Sequence, residues 1–245
     1  MMRKYAFLTT ILSISSVAAN VSIELPHDQV NLKYSKPVRL EQVLADVAKH
    51  RHQSSPNDYL LNNALFNLDK QRLANNKKQS ILNKINSLQK NEPQLRHSLG
   101  LLYDQVKSWE VSYREALVLD LDAVLLKPSL NPMLEGQYRL TYPKRTDSIS
   151  LEGLFFTPHR AVLLPDKTVN NYVNTTLRLS SSNNSYVWII YPDGNYQKVG
   201  YTYWNDEHTP IPPGSSLFLG FNSTSTELQQ LEEDIVSLLT WRQDK

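Results

Sequence analysis

"VSIELPHDQVNLKYSKPVRLEQVLADVAKH", Val21 to His50, changes its period halfway along. Val21, Ile23 and Leu25 alternate, a Pro26-His27-Asp28 turn follows, and Val30, Leu32 and Tyr34 alternate again, the pattern of a hairpin with one apolar face. Beyond Pro37 the apolar residues Leu40, Val43, Leu44 and Val47 share one face of a helix. The same order recurs in "ISLEGLFFTPHRAVLLPDKTVNNYVNTTL", Ile149 to Leu177. There Ile149 and Leu151 mark one strand and Arg160 to Leu164 a second. Val169, Tyr172 and Val173 start a short helix, with Asp166 or Thr168 placed to cap it. Both turns also carry P-H-x-x-V-x-L, at Pro26, His27, Val30 and Leu32 and at Pro158, His159, Val162 and Leu164. The matched order predicts two copies of one small module.

The second copy continues through "YVWIIYPDGNYQKVGYTYW", Tyr186 to Trp204, where two β-rich runs flank Asp193-Gly194, and ends with a strand over Ser216 to Phe221. Strand, strand, helix and three strands describe a β-grasp arrangement, a sheet wrapped around one helix. The first copy is predicted to complete itself with strands in "EALVLDLDAVLL" and "GQYRLTY", between Glu115 and Tyr142. Between its halves, Tyr59 to Trp109 reads as helical. Leu61, Leu65 and Leu68 form one stripe and Ile81, Ile85 and Leu88 another, while Leu95, Leu99, Leu102, Val106 and Trp109 repeat at 4-3-4-3 spacing after Pro93. The last twenty residues predict an amphipathic helix with Leu228, Leu231, Ile235, Leu238 and Leu239 on one face and a capping box at Thr224 and Glu227. Early acidic residues and scarce basic ones disfavour an anionic bilayer as its cover, so it is expected to dock on its own protein.

The first residues have the form of a secretory signal peptide: Arg3 and Lys4, a mostly apolar run from Tyr5 to Ser16, and Val17-Ala18-Ala19 before a cleavage site. Without Arg3 and Lys4 the 26 basic residues become 24, equal to the 24 acidic ones, a balance that argues against nucleic acid or an anionic membrane as partner. There is no cysteine, which excludes disulfides, thiol catalysis and a lipidated N-terminal cysteine.

No nucleotide-binding, G-x-S-x-G or H-E-x-x-H pattern is present. His50-x-His52 lacks a third metal ligand nearby, so no metal and no cofactor is expected. Asp120-x-Asp122, read as alternate residues of a strand, would place two carboxylates about 6.5–7 Å apart, a spacing compatible with a glycosidase pair. The alternation with Leu119 and Leu121 equally describes a half-solvated strand, and that reading takes precedence. Tyr186, Trp188, Tyr191, Tyr196, Tyr201, Tyr203 and Trp204 crowd one hairpin, either as a sugar-stacking face or, more commonly, as cross-strand pairs. The lysines of the helical insert read as a solvated surface.

"WN" at Trp204-Asn205, "H…PPGS" from His208 to Ser215, "LFLGF" at 217–221 and "IVSLLT" at 235–240 resemble the GfcC family of periplasmic capsule and exopolysaccharide biosynthesis proteins of Gram-negative bacteria. "YPDG", "TVNNYV" and "YREALVLDLDAV" extend the resemblance over nearly all the chain after the leader. It implies an α+β fold of two β-grasp domains, related to the soluble ligand-binding β-grasp domains of the capsule export channel, with a helical insertion in the first and a terminal amphipathic helix packed on its own protein. It also implies a surface crevice at an arginine before a V-x-L-D-x-D strand, which Arg114, Asp120 and Asp122 match. The family's Gly and Leu-Pro around that arginine are Tyr113 and Glu115-Ala116 here. A guanidinium suits carboxylate or phosphate groups on an acidic glycan, and serves equally as a structural partner.

The resulting expectation is a leader over 1–19, a first domain over 20–142 with its insert at about 59–110, a second domain over 147–222, and a terminal helix over 224–245. The protein is expected to be a periplasmic, non-enzymatic monomer without stable membrane insertion, acting on surface polysaccharide or capsule export proteins. The candidate binding residues are Arg114, Asp120 and Asp122. The alternative is an exported carbohydrate-active enzyme using Asp120 and Asp122.

Overall fold

The computed structural model describes residues 21–50 and 60–243; the expected leader over 1–19, His52 and the last two residues lie outside them. In the first half, β1 (Val21–Leu25) and β2 (Val30–Tyr34) form an antiparallel hairpin. A two-residue strand, β3 (Val38–Arg39), leads into α1 (Leu40–His50), and β4 (Ala64–Asn67) follows. After the insert, helices α2 (Gln71–Asn91) and α3 (Arg96–Ser108), come α4 (Leu121–Leu126), β5 (Met133–Leu134) and β6 (Gln137–Thr141). The sheet order is β2-β1-β6-β4, with β6 parallel to β1 and antiparallel to β4. Val21, Ile23 and Leu25 point into the core, where they meet Leu40, Val43 and Val47 of α1 and Leu140 of β6.

The second half repeats this wiring with β7 (Ser148–Gly153), β8 (His159–Val162), α5 (Val169–Thr175), β9 (Tyr186–Ile190), β10 (Tyr196–Gly200) and β11 (Ser216–Leu219). Its order is β10-β9-β11-β7-β8, again with the last strand parallel to the first. Thr168 caps α5 in a capping box with Asn171. The fold is therefore α+β with two β-grasp sheets, and the order of elements is duplicated between the two halves.

Two readings of the first half change. Leu65 does not continue a helical stripe; it lies in β4, buried and paired with Leu140. The leucine spacing at 61, 65 and 68 fits a helix, but the short apolar run Ala64-Leu65-Phe66 fits a doubly buried strand as well, and pairing with β6 decides between them. The run "LDLDAVLL" likewise satisfies both periods, and it forms α4 rather than a strand because Asp120 caps it.

The final helix, α6 (Thr226–Leu239), begins after Ser225 with no side-chain cap bond, so the expected box at Thr224 does not form. Its apolar face, Leu228, Leu231, Ile235, Val236, Leu238 and Leu239, is buried against α2, α3 and the face of the second sheet that carries Phe218 and Ile190. The opposite face of that sheet packs Val187, Ile189, Leu217 and Leu219 around α5. After α6 the chain lies along the exit of the insert: Ser112 N–H donates to Trp241 O, Gln243 N–H donates to Glu110 O, and Arg242 Nη1 meets Glu152 Oε1 of β7 at 2.6 Å. Among the described residues no helix is long and apolar enough to cross a membrane.

Glu232 on α6 is 3% exposed. Its Oε1 accepts from Phe221 N–H at 2.6 Å and its Oε2 from Trp188 Nε1 at 3.2 Å. Burial pushes its carboxyl above the ordinary 4.5, partly offset by those two donors and by Lys198, with Glu233 adding to the rise. A carboxyl raised in this way stabilises the fold fully below its unfolded pKa, and the contribution is lost as pH rises through the folded value. Glu232→Gln removes that titration. Urea melts at pH 4.5 and pH 7 should show wild type losing stability relative to the variant as pH rises; parallel behaviour of the two would refute the assignment. Leu231→Ala, at a position with no exposed surface, should cost about 2–5 kcal/mol in the same melts.

Candidate functional site

Residues 113–115 leave the insert and run antiparallel beside β4. Phe66 bridges Arg114, Asn67 N–H donates to Tyr113 O at 2.8 Å, and Glu115 N–H donates to Leu65 O at 2.8 Å. Extended backbone sends alternate side chains to opposite faces. Tyr113 stacks at 50° on Trp241, ring centroids 4.8 Å apart, beneath the Lys70 ammonium at 4.6 Å. Glu115 takes Lys70 Nζ at 2.7 Å and Asn67 Nδ2 at 2.8 Å. The Glu115 hydrogen bond raises the Lys70 pKa against the lowering effect of its burial.

Arg114 projects the other way, toward the second half. Its Nη2 donates to Asn63 O at 3.1 Å and to Pro192 O at 2.8 Å, the latter in the β9–β10 turn. Gly194 of that turn has φ +91°, and a Cβ there would stand 3.2 Å from Arg114 Cζ, so the turn lies flat against the guanidinium. The identity of residue 113, Tyr where the resemblance has Gly, leaves this side undisturbed because the Tyr113 ring packs on Trp241.

Asp120 and Asp122 are not the alternating strand pair. Asp120 Oδ1 accepts from Asp122 N–H at 2.9 Å and Ala123 N–H at 3.2 Å, the N-cap bonds of α4. Asp122 is exposed in the first turn of that helix, where a carboxylate suits the unpaired N–H groups. Arg114 and the two aspartates thus occupy different elements with different local partners.

Of the seven aromatic residues named for this hairpin, Tyr191 packs on the α5 side with its hydroxyl accepting from Gln197 Nε2, and the other six divide into three sets. Tyr201 is buried, with its hydroxyl on Asn183 O and Arg178. Tyr186, Trp188, Tyr196 and Lys198 share one face of β9–β10: Trp188 meets Tyr196 edge-on at 6.0 Å, and Lys198 Nζ lies 5.4 Å from the Trp188 ring and 5.7 Å from that of Tyr186. Tyr203 and Trp204 belong to neither strand and are 100% and 74% exposed. Cross-strand packing therefore explains part of the cluster and leaves those two outside it.

Sequence reasoning did not anticipate two adjoining clefts along the C-terminal tail, of about 510 and 310 Å³, which share Trp109, Glu110 and Gln243. Arg139 lines the larger one, its Nε on Glu24 and its Nη1 on Gln243, each at 3.0 Å. No sequence signal marks this cleft, since its walls come from β6, α2 and the C-terminal tail.

Comparison with known proteins matches residues 17–144 to the N-terminal domain and residues 157–243 to the C-terminal domain described as capsule biosynthesis GfcC. The uncharacterised protein YjbG of Escherichia coli (strain K12) is 32% identical over 147 residues, which covers 59% of this chain and 60% of that protein.

Arg114→Ala removes the donor from two carbonyls and is expected to cost about 1–3 kcal/mol in urea melts. Hydrogen exchange in the Pro192–Asn195 turn should accelerate, whereas unchanged protection there would show that Arg114 does not hold it.

Proposed function

The chain belongs to the GfcC family of capsule biosynthesis proteins, and from that premise we propose that it is a periplasmic, non-enzymatic accessory factor in assembling or exporting a surface polysaccharide. It acts by binding the glycan or a component of the export machinery. The match of both halves to that family carries this reading, and the chemistry of the candidate residues agrees with it. Asp120 is engaged as a helix cap and Arg114 as a donor to backbone carbonyls, arrangements that favour recognition and scaffolding over a carboxylate pair at work on a glycosidic bond. The signal-peptide pattern at 1–19 supports export, and the burial of α6 against its own protein supports a factor that does not insert stably in the membrane. Arg114, Asp120 and Asp122 then serve the region around the β9–β10 turn and α4 as positioning residues.

Deleting the gene should lower cell-bound polysaccharide relative to the released fraction, and an unchanged distribution would overturn the role. Complementation with Asp120→Asn, Asp122→Asn distinguishes the enzyme alternative. Asn caps a helix about as well as Asp, so the variant should fold and restore the capsule. A folded variant that fails to restore it would favour carboxylate catalysis.

A further inference from the structure

We propose that the exposed rim of the β9–β10 hairpin, on the face whose inner part α6 covers, together with the turn that follows it, is a stacking site for the pyranose rings of a polysaccharide chain. The proposal rests on the glycan-binding form of the function above and gives it a location. The site comprises Tyr186, Trp188, Tyr196, Lys198, Tyr203 and Trp204.

The hairpin part is a row. Register places Tyr196 opposite Ile190 and Lys198 opposite Trp188, so Tyr186, Trp188, Tyr196 and Lys198 share a face, and Tyr186 and Tyr196 lie about 13 Å apart along the strands. Trp188 is half-buried against α6, held by its hydrogen bond to Glu232 and from the side by Tyr196, and forms the inner border of the row. Tyr186 and Tyr196 are 44% and 42% exposed. The turn is held at the Tyr186 end of the row: Tyr201 N–H and Asn205 Nδ2 both donate to Ser185 O, at 3.1 Å each. Asn205 Oδ1 also accepts from Thr202 N–H and the Thr202 hydroxyl, and Asn205 N–H donates to Thr202 O. Two large rings are therefore presented to solvent on a turn with a dense hydrogen-bond frame, although their exposure contributes nothing to the core.

Ring chemistry selects the occupant. Flat faces bordered by a phenol or indole polar edge match sugars, which present apolar C–H faces and hydroxyl edges. Lys198 adds a donor in the middle of the row for a sugar hydroxyl or carboxylate. An anionic bilayer, the other surface that takes exposed Trp and Tyr, is opposed by the charges that follow the turn, Asp206 and Glu207.

The test uses the full mature chain and polysaccharide purified from the capsule of the source cells, with binding read by affinity electrophoresis. Tyr203→Ala, Trp204→Ala removes exposed rings only, so its melting curve should match wild type while polysaccharide affinity falls about tenfold or more. Trp204→Tyr should retain affinity within about threefold, and Trp204→Leu should not. Equal retardation of wild type and the double variant would overturn the site, as would full retention by Trp204→Leu. Wild-type binding to vesicles of phosphatidylethanolamine and phosphatidylglycerol (3:1), lost in the double variant, would reassign the rings to a membrane and overturn it too. Absence of polysaccharide binding by wild type also refutes the site. The capsule role is judged separately, by the deletion strain.

Discussion

A sheet that is apolar on both faces has to be covered twice. Strand β11 buries all four of its residues, with Leu217 and Leu219 facing α5 and Phe218 facing away from it. One β-grasp helix covers one face only, so the second half cannot stand on its own without exposing Phe218, Ile190 and Leu154. α6 and the insert supply the missing layer. Glu232 sets the register of that layer, because its carboxylate reaches the Phe221 N–H just past β11 and the Trp188 indole on β9. Gly220 leaves room for it; a Cβ at that position would lie 2.3 Å from Glu232 Cδ. A buried carboxylate costs desolvation energy, and two directed donors make that cost specific to one placement of the helix.

This constraint links the insert to the chain's end. α2 and α3 present a stripe of Ile81, Ile85, Leu88, Leu99 and Leu102 that fills the same core as α6, and Lys84 pairs with Asp234 across the two at 3.2 Å. The tail then lies against Glu110–Ser112 and anchors to Glu152. A helix that in isolation has the amphipathicity of a surface-seeking segment is thereby committed to its own protein.

What was legible in the sequence followed local period. The hairpins, α1, α3, α5 and α6 announce themselves through alternation or 3-4 spacing. The duplicated module shows in the order of elements alone. The failures fall where a short run satisfies two periods, at Leu65 and at Leu121 to Leu126, and where partners are distant in sequence. Asp120 looked like a strand residue because its neighbours alternate; its role as a cap depends on the backbone of Asp122 and Ala123 turning into a helix. Arg114 was identifiable as a candidate, but its acceptors, 51 and 78 residues away, carry no side-chain signal since both are carbonyls. Tyr203 and Trp204 could not be separated from the core aromatic Tyr201 by composition; only the Asn205-framed turn distinguishes them.

The place of the insert follows from comparing the two sheets. In the second, β9 and β10 are joined by the tight turn at Pro192–Gly194, and β10 forms the edge. In the first, β4 occupies the position of β9, and residues 113–115, bridged antiparallel to it, occupy the position of β10. The whole of α2 and α3 therefore replaces one hairpin turn. A turn at the edge of a sheet is a permissive site, because chain added there leaves the ladder intact provided its two ends emerge side by side. Arg114 lies in the strand where the insert returns and donates to the corresponding turn of the other copy. One guanidinium thus joins the enlarged loop of the first module to the short loop of the second, and an altered turn in either would be felt at both.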